Sequence, residues 1–442
     1  MVILLFPAVA PALFFIYDLW AVMLAMVVSL PFVFKKHVFS PVFAWILFFI
    51  FSGIFVSARS AASFDSFTFV LQSVLYAVFF IAGTQSSGKL CLIPLAALAI
   101  MPFFSASNIN PNIVSSYTGL LFVLLMISPA PKKLKYIIGA GSLFFIFRNG
   151  SWTVIFAIGA AAALTVKKKY LLFAILAGIA AAAFNPGSVM DRFFWWSESV
   201  RIFAANPQGI GFFASKYHLA ATSAQNTIFA HSFFLQLLAE GGILCLIPVI
   251  FVVSCLFKNK KEGAYDFALY AVLMLGVLDL SYHITAHGMI GAFIAGLTQR
   301  TPDVRGKAVR IYSAVFKALF VFALALGFVM FYNSRVLTAG ARILFSGDAA
   351  AASEKFAEAC DYPAYPALLS AKAAAYSVVA EKEGISDFRK KSFALQEKAL
   401  PAKVLKIPAY RDFDAARKTG DLGLLRNSCM KILFLNGVRP GR

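Results

Sequence analysis

The sequence predicts an all-α, polytopic membrane protein with about 12–13 transmembrane helices and a small helical domain at its C-terminal end. Three observations support this prediction. Of the 442 residues, 60% are hydrophobic and only 14% are charged, which is too apolar for a soluble globular chain of this length. Apolar runs of about 15–25 residues recur along the first three quarters of the chain. After Ser346 the sequence becomes alanine-rich and charged.

Charges, prolines and glycines delimit the apolar runs and give the approximate start of each helix. Residues 1–16 lack the basic region and cleavage site of a secretory signal, so they are assigned to a first helix. The predicted helices begin near Val2, Leu19, Val42, Ser66, Leu90, Asn112, Leu134, Trp152, Leu171, Ser232, Tyr265, Thr285 and Ala308. The chain thus divides into a membrane domain, residues 1–332, and a C-terminal domain, residues 333–442.

Basic residues concentrate in every second loop. Six loops hold sixteen Lys and Arg residues, and the remaining loops hold five. Because cytoplasmic loops of membrane proteins are rich in Lys and Arg, the six basic loops are predicted to be cytoplasmic. They lie around Lys35, Lys89, Lys132, Lys167, Lys258 and Arg300. Basic loops of this kind are typical of contact with anionic membrane lipids, which accounts for the net charge of +20 without nucleic acid. The same placement predicts that the chain from about Asn333 lies outside.

The five basic residues of the other loops differ in chemistry from the cytoplasmic set. They are Arg59, Arg148, Arg192, Arg201 and Lys216. Orientation in the membrane requires only charge, whereas a guanidinium also offers paired donors that match phosphate oxygens. The external arginines therefore indicate a phosphorylated ligand, with lipid headgroup contacts as the alternative.

The longest polar interruption, residues 185–230, carries the most specific pattern in the sequence. Arg192 is followed by aromatic residues that include Trp195 and Trp196, then by Pro207-Gln208-Gly209-Ile210-Gly211, and finally by His231-Ser232 at the predicted start of a helix. Nine residues separate Ser232 from Gly242. In order and spacing this pattern resembles the O-antigen ligase and polymerase superfamily. Asn108-Ile109-Asn110-Pro111-Asn112 looks like the Asn-rich loop that precedes an earlier helix in many members of the family. Cys245 departs from the family pattern, and Arg148-Asn149-Gly150-Ser151 only approximates the family's Ser-Arg-Gly segment.

The resemblance implies a membrane glycosyltransferase of the GT-C type that needs no metal or other cofactor. Its donor would be a glycan on undecaprenyl diphosphate, with His231 and Arg192 as the catalytic residues. Arginine suits the departing pyrophosphate, and a histidine near its ordinary pKa can accept the proton of the acceptor hydroxyl. The candidate substrate-binding residues are Arg201, Arg148, Arg59, Ser232, Trp195 and Glu240. Trp195 and Trp196 could equally be aromatic anchors at the membrane interface.

Two further patterns involve ionisable residues in apolar segments. Glu240 lies well inside a predicted helix, where a carboxylate is a functional candidate and an external arginine its expected partner. Asp279, His283 and His287 repeat at four-residue spacing, which is a weak metal-site pattern because no Cys or second carboxylate accompanies it. No metal site is therefore predicted.

The C-terminal domain shows apolar residues at helical spacing in residues 349–360 and 364–379, similar to one tetratricopeptide repeat. Such a domain could contact acidic lipid or acceptor, or simply stabilise the membrane domain. Cys360 and Cys429 are the two cysteines of this predicted external domain, and an oxidising compartment would permit them to pair. The other three cysteines lie in apolar helices and are assigned to the core.

The predicted location is the bacterial inner membrane, with the active site and the C-terminal domain facing the periplasm. The acceptor remains open at this level: lipid A core for a ligase, another repeat unit for a polymerase, or a protein Ser or Thr for an oligosaccharyltransferase. A flippase or transporter is the alternative from another class, and it would predict internal repeats that relate the halves of the chain. No such repeats are evident in the sequence.

Overall fold

A computed structural model describes most of the chain. The described residues are 19–35, 37, 39–86, 111–166, 186–217, 230–278, 281–300, 307–360, 362–363, 365–383, 386–399, 408–435 and 438. Within these ranges the regular structure is helical, apart from one isolated antiparallel bridge between Lys260 and Gln299. The prediction of an all-α protein is confirmed. The helices predicted near Val2, Leu90 and Leu171 lie outside the described residues.

The described ranges contain sixteen α-helices, numbered here in chain order. Those of the apolar part are α1 Leu19–Val33, α2 Val42–Arg59, α3 Ser63–Thr84, α4 Pro111–Ile127, α5 Lys132–Arg148, α6 Trp152–Val166, α7 Pro186–Ala205, α8 Phe233–Lys258, α9 Ala264–Leu278, α10 Thr285–Thr298 and α11 Lys307–Phe345. Those of the C-terminal part are α12 Ala349–Ala357, α13 Pro366–Glu383, α14 Ser386–Ala399, α15 Pro408–Thr419 and α16 Leu422–Leu435. Short 3₁₀ turns occupy Ser215–Tyr217 and Ser281–His283.

Four of the described helices, α2, α3, α8 and α11, are long and apolar enough to cross a membrane. Several shorter helices are also apolar. Helices satisfy their own backbone hydrogen bonds, so they are the form in which an apolar chain can cross lipid. The composition and the helix lengths together support a membrane protein.

Helix α3 lies at the centre of the apolar part and is the most buried of the four long helices. It crosses α10 where Gly83 faces Gly296: a Cβ added at Gly83 would lie 3.0 Å from the Leu297 nitrogen and 3.1 Å from the Gly296 Cα. Small residues at a crossing allow helix backbones to approach closely inside a membrane. The two glycines therefore set the distance between α3 and α10.

The basic residues of the predicted cytoplasmic and external sets lie at opposite ends of the helices. At one end, the loop after α8 binds the loop after α10, because the Lys261 N–H donates to the Thr298 carbonyl oxygen at 2.7 Å and the Arg300 N–H to the Asn259 carbonyl oxygen at 2.9 Å. The end of α2, the start of α3 and the start of α8 meet residues 206–217 at the opposite end. The predicted cytoplasmic and external charges thus occupy different ends of the same helices.

Two parts of the chain differ from the sequence prediction. The predicted loop 185–230 contains a 20-residue helix, α7, whose residues Trp195, Ser199 and Ile202 lie at helical spacing and are buried. Helix α11 continues through Asn333 to Phe345, so the predicted boundary between residues 332 and 333 lies inside a helix. The Asn333 side chain binds the backbone N–H and carbonyl of Cys360 at 3.0 and 2.9 Å, which holds the chain after α12 against α11.

The C-terminal helices pack on the end of the apolar helices that contacts residues 206–217. One apolar cluster joins Ala373, Phe413 and Cys429 of the C-terminal helices to Ala62 and Ala214, which lie before α3 and in the loop after α7. In addition, the Tyr365 ring stacks on Phe64 at 3.8 Å with an interplanar angle of 7°. The C-terminal domain therefore rests on the loop that follows α7.

The predicted pairing of Cys360 with Cys429 is wrong. Cys429 is buried in the C-terminal core, where its thiol donates to the Gln396 side-chain oxygen at 3.3 Å. Cys360 is exposed and bound to α11 through its backbone. Sequence could place both cysteines in one domain but could not show that packing directs one side chain inward and leaves the other at the surface.

These positions predict different thiol reactivity. Burial raises the pKa of the Cys429 thiol, so little thiolate forms near neutral pH, whereas Cys360 is accessible to solvent. We expect a membrane-impermeant maleimide to label Cys360 within minutes and Cys429 only after denaturation. Mass spectrometry of labelled peptides measures both, and equal labelling of the folded protein would contradict the structure.

Candidate functional site

The side chains of His231 and Trp195 stack on each other. Their ring centroids are 4.6 Å apart with an interplanar angle of 25°, and Trp195 is buried. Trp195 lies on α7, and His231 lies just before α8. The stack therefore joins the two segments that carry the predicted catalytic residues, and one face of Trp195 is already covered by imidazole.

His231 has a backbone conformation that side chains rarely adopt. Its φ of 48° is in the left-handed region, which costs a non-glycine residue about 1–2 kcal/mol. Helix α8 begins at Phe233, and Ser232 is its buried, extended N-cap. Because of this backbone conformation, the His231 side chain does not lie on a face of α8. The contacts around His231 must offset the cost of the conformation.

Arg192 lies one turn before Trp195 on α7 and contacts α6. One of its terminal nitrogens donates to the Thr153 hydroxyl at 2.8 Å. Thr153 is in the first turn of α6, which follows the exposed Arg148 at the end of α5. The arrangement places Arg192 and Arg148 at the start of the same helix, and it links Arg192 to His231 through Trp195.

Two other predicted arginines have different surroundings. The Arg201 fork binds both carboxylate oxygens of Glu198, three residues earlier on α7, at 2.9 and 2.7 Å. This ion pair and hydrogen bond raise the Arg201 pKa and occupy the donors that a phosphate contact would need. Arg59 is exposed at the end of α2, with its guanidinium 5.3 Å from the Phe55 ring centroid.

Glu240 has partners that differ from the predicted arginine. One carboxylate oxygen accepts the Gln236 side-chain amide at 2.6 Å and the Ser215 backbone N–H at 3.2 Å. The other oxygen lies 3.8 Å from His283 Nε2. The carboxylate is completely buried, so Glu240 can act on a substrate only through the residues that surround it. The prediction of an arginine partner was wrong because helix α8 directs Glu240 inward, beneath the loop, and away from α7.

The Pro207–Gly211 loop docks onto a break in α8. Gly242 has a φ of 62° inside the helix, and the freed Ile243 N–H donates to the Pro207 carbonyl oxygen at 3.0 Å. The Gly211 N–H donates to the Glu240 carbonyl oxygen at 2.9 Å. A Cβ at Gly209 would lie 2.7–2.8 Å from Gly241 and Gly242 backbone atoms. The glycines of the Pro-x-Gly-x-Gly pattern and Gly242 therefore permit backbone-to-backbone contact.

The same loop is bound on its other side by Ser60, Ser66 and Asp65, which are not among the predicted site residues. The Ser60 hydroxyl donates to the Ile210 carbonyl oxygen at 2.8 Å, and the Phe212 N–H donates to the Ser66 hydroxyl at 2.7 Å. The Lys216 ammonium lies 3.1 Å from the Asp65 carboxylate, and both side chains are buried. Lys216 is the single lysine of the predicted external set, which was the available signal that its role differs from that of the arginines.

An apolar cavity of about 200 Å³ lies between α2, α3, α8, α9 and α10. Its wall is aliphatic and aromatic, and the hydroxyls of Ser73 and Tyr76 bind carbonyl oxygens of Phe69 and Tyr282 at 2.8 and 3.2 Å. Phe233, the first residue of α8, belongs to the wall. The cavity therefore begins two residues after His231 in the sequence and offers a surface suited to hydrocarbon.

His283 and His287 lie on separate elements, the 3₁₀ turn Ser281–His283 and helix α10. His287 Nε2 lies 2.9 Å from the Ile113 carbonyl oxygen, while His283 packs among Phe69, Phe213 and Phe233. No group of three potential metal ligands occurs among the described residues. Asp279, and the Asn108-Ile109-Asn110 segment, lie outside the part that the structure describes.

Docking of the loop on α8 predicts that substitution by alanine destabilises the protein more at Gly209 than at Gly263, although the two glycines have similar φ. Gly209 has a φ of 85° against α8, and Gly263 has a φ of 83° with open space around its Cβ position. Gly263→Ala should cost only the backbone strain, about 1–2 kcal/mol. Gly209→Ala should add a clash of about 1–3 kcal/mol. Thermal unfolding in detergent measures both, and equal shifts of Tm would contradict the docking.

The buried ion pair predicts strong coupling between Asp65 and Lys216. Asp65→Leu or Lys216→Met alone leaves a buried charge without its partner, at a cost of about 3–5 kcal/mol, whereas the double variant removes both charges. We expect the double variant to have a higher Tm than either single variant. Glu262→Ala, which breaks an exposed pair with Arg300, is the control with little expected change. Additive losses would argue against the pair.

No family model matches this chain, and no curated protein shows significant similarity to it. The assignment of a function therefore depends on the residues and contacts described above.

Proposed function

We propose that this protein is a metal-independent glycosyltransferase of the O-antigen ligase type, with a GT-C architecture. It transfers a glycan from undecaprenyl diphosphate to an acceptor hydroxyl. The observation that carries the proposal is the contact of His231 with Trp195, one turn from Arg192 on α7. In this proposal the base, His231, and the phosphate-binding guanidinium, Arg192, belong to one site. The 38 residues 193–230 lie between them in the sequence.

The proposed reaction is a displacement at the anomeric carbon of the donor sugar. The acceptor oxygen forms a bond to this carbon while the bond to the diphosphate oxygen breaks, and undecaprenyl diphosphate leaves. His231 accepts the proton of the acceptor hydroxyl as the new bond forms. Arg192 stabilises the negative charge that develops on the diphosphate. Arg148, near the same end of α6, is a second phosphate contact in this proposal.

The apolar cavity supports a lipid-linked donor. A diphosphate bound near Arg192 would carry its prenyl chain into the membrane, and the wall between α2, α3, α8, α9 and α10 presents hydrocarbon to such a chain. Trp196 and the exposed aromatic residues of α7 suit the level of the lipid headgroups. Membrane lipids would therefore surround the site on one side.

The C-terminal domain supports a role at the acceptor side. It rests on the loop after α7 through Ala62 and Ala214, and its paired helices resemble tetratricopeptide units. A lipid A core acceptor gives an O-antigen ligase, and this is the assignment we favour. The helical domain beside the loop favours a protein Ser or Thr as the second candidate, because helical repeats commonly form peptide-binding surfaces.

The proposed orientation places the site and the C-terminal domain in the periplasm and the lysine-rich loops in the cytoplasm. We expect a cysteine introduced at Asn206 to react with an impermeant maleimide in cells whose outer membrane alone is permeable. A cysteine at Lys132 should react only after the inner membrane is permeabilised. The reverse pattern of labelling would contradict the orientation.

The decisive assay follows a labelled undecaprenyl-diphosphate glycan with lipid A core, repeat unit or protein as acceptor. His231→Ala should lower the transfer rate about 10²–10⁴-fold with donor affinity within about threefold of wild type, because the lost group is a base. Arg192→Lys keeps the charge but loses the paired contact, so donor affinity should fall about tenfold, equivalent to about 1.4 kcal/mol.

Arg300→Lys, at the opposite end of the helices, is the matched control and should behave as wild type. Transfer by His231→Gln at the wild-type rate would remove the base role, because a glutamine can orient a hydroxyl but cannot accept its proton. Movement of the glycan lipid across the membrane without any transfer product would instead identify a flippase.

A further inference from the structure

One pair of α8 side chains binds both borders of the segment that leads to His231. Glu240 accepts the Ser215 N–H at 3.2 Å, and Gln236 accepts the Ala230 N–H at 2.7 Å. Gln236 and Glu240 are themselves hydrogen-bonded at 2.6 Å and are one helical turn apart. This Gln236–Glu240 pair thus holds Ser215 and Ala230 against α8, and His231 follows Ala230 directly.

The pair also determines which way the Gln236 amide faces. Glu240 accepts from the NH₂ group of Gln236, which leaves the Gln236 carbonyl oxygen for the Ala230 N–H. A reversed amide would place two donors together at Ala230. Glu240 therefore acts on the backbone before His231 through the orientation of one side chain.

We propose that Glu240 and Gln236 are positioning residues that hold His231 in its left-handed turn against Trp195. The inference deepens the proposed function, on which it rests for its activity readout. His231 has a φ of 48° and stacks on Trp195 at 4.6 Å, so both its backbone and its ring depend on where Ala230 is held. Gln236 and Glu240 are almost completely buried, which keeps water from competing for their hydrogen bonds.

Glu240 is not placed to exchange a proton with substrate directly. One carboxylate oxygen already binds Gln236 and Ser215, and the other faces His283 Nε2 at 3.8 Å among phenylalanine rings. A positioning role requires a hydrogen-bond acceptor of this shape, whereas a proton-transfer role requires a carboxylate. Glu240→Gln and Glu240→Leu therefore separate the two roles.

The first experiment reads the position of His231 without any glycan. Five tryptophans are replaced by 5-fluorotryptophan, and the Trp195 fluorine resonance is assigned by its loss in Trp195→Phe. The His231 ring lies 4.6 Å from the Trp195 ring, so its ring current should displace this resonance, and His231→Gln should move it to a new chemical shift. We expect Glu240→Leu and Gln236→Leu to move it in the same way and Glu240→Gln to leave it at the wild-type position.

Gln72→Leu is the matched control, because it removes an equally buried glutamine whose amide binds Thr285 at 2.9 Å, away from this segment. It should keep the wild-type chemical shift of Trp195 even if its Tm falls. A wild-type chemical shift in Glu240→Leu, or a displaced one in Gln72→Leu, would overturn the positioning role. This result is independent of whether the protein transfers any glycan.

The second experiment measures transfer. Glu240→Leu and Gln236→Leu should each lower kcat about 10²-fold with the donor KM within about threefold, and the double variant should lose no more than either single variant, because both act through one contact. Glu240→Gln should recover at least a third of the wild-type kcat. A Glu240→Gln variant as inactive as Glu240→Leu, with the Trp195 fluorine resonance at its wild-type position, would make Glu240 a proton-transfer group and overturn the proposal.

Discussion

The carboxylate of Glu240 lies inside an apolar helix with no exposed surface. Lipid and packed hydrocarbon offer no hydrogen bonds, so the protein itself must supply the donors that keep such a group buried. The donors come from Gln236 on the same helix and from Ser215 in the loop after α7. This requirement holds the loop against α8, and the position of the candidate site depends on that contact.

The break in α8 meets the same requirement for the backbone. Gly242 leaves the helical conformation, and the bonds from Ile243 to Pro207 and from Gly211 to Glu240 satisfy groups that the break would otherwise leave buried and unpaired. Ser60 and Ser66 act in the same way from the α2–α3 turn. The loop is therefore bound on two sides by specific hydrogen bonds.

Charge has different functions in different parts of this end of the molecule. Lys216 is buried against Asp65, so its ammonium stabilises the loop and is not available to a ligand. Arg201 is bound by Glu198, whereas Arg148 is exposed beside the helix that Arg192 contacts. Arg192 contacts α6 and lies one turn from the His231–Trp195 stack. The C-terminal domain packs against Ala62 and against Ala214 of the loop.

By itself, the sequence determined the all-helical, apolar architecture, the approximate starts of most described helices before residue 333 and the segments that carry His231, Arg192 and Trp195. These features depend on local hydropathy, charge and spacing, which adjacent residues express directly. Only the tertiary structure decided the partners of Glu240, Arg201, Lys216 and Cys429 and the direction of His231. Each of these depends on which side chain another element brings within about 3 Å, and no pattern along one segment contains that distance. Helix α7 lies between the two cases: Trp195, Ser199 and Ile202 are at helical spacing in the sequence, but the polar residues among them favoured a loop, and only the packing of Trp195 on His231 shows which face is buried.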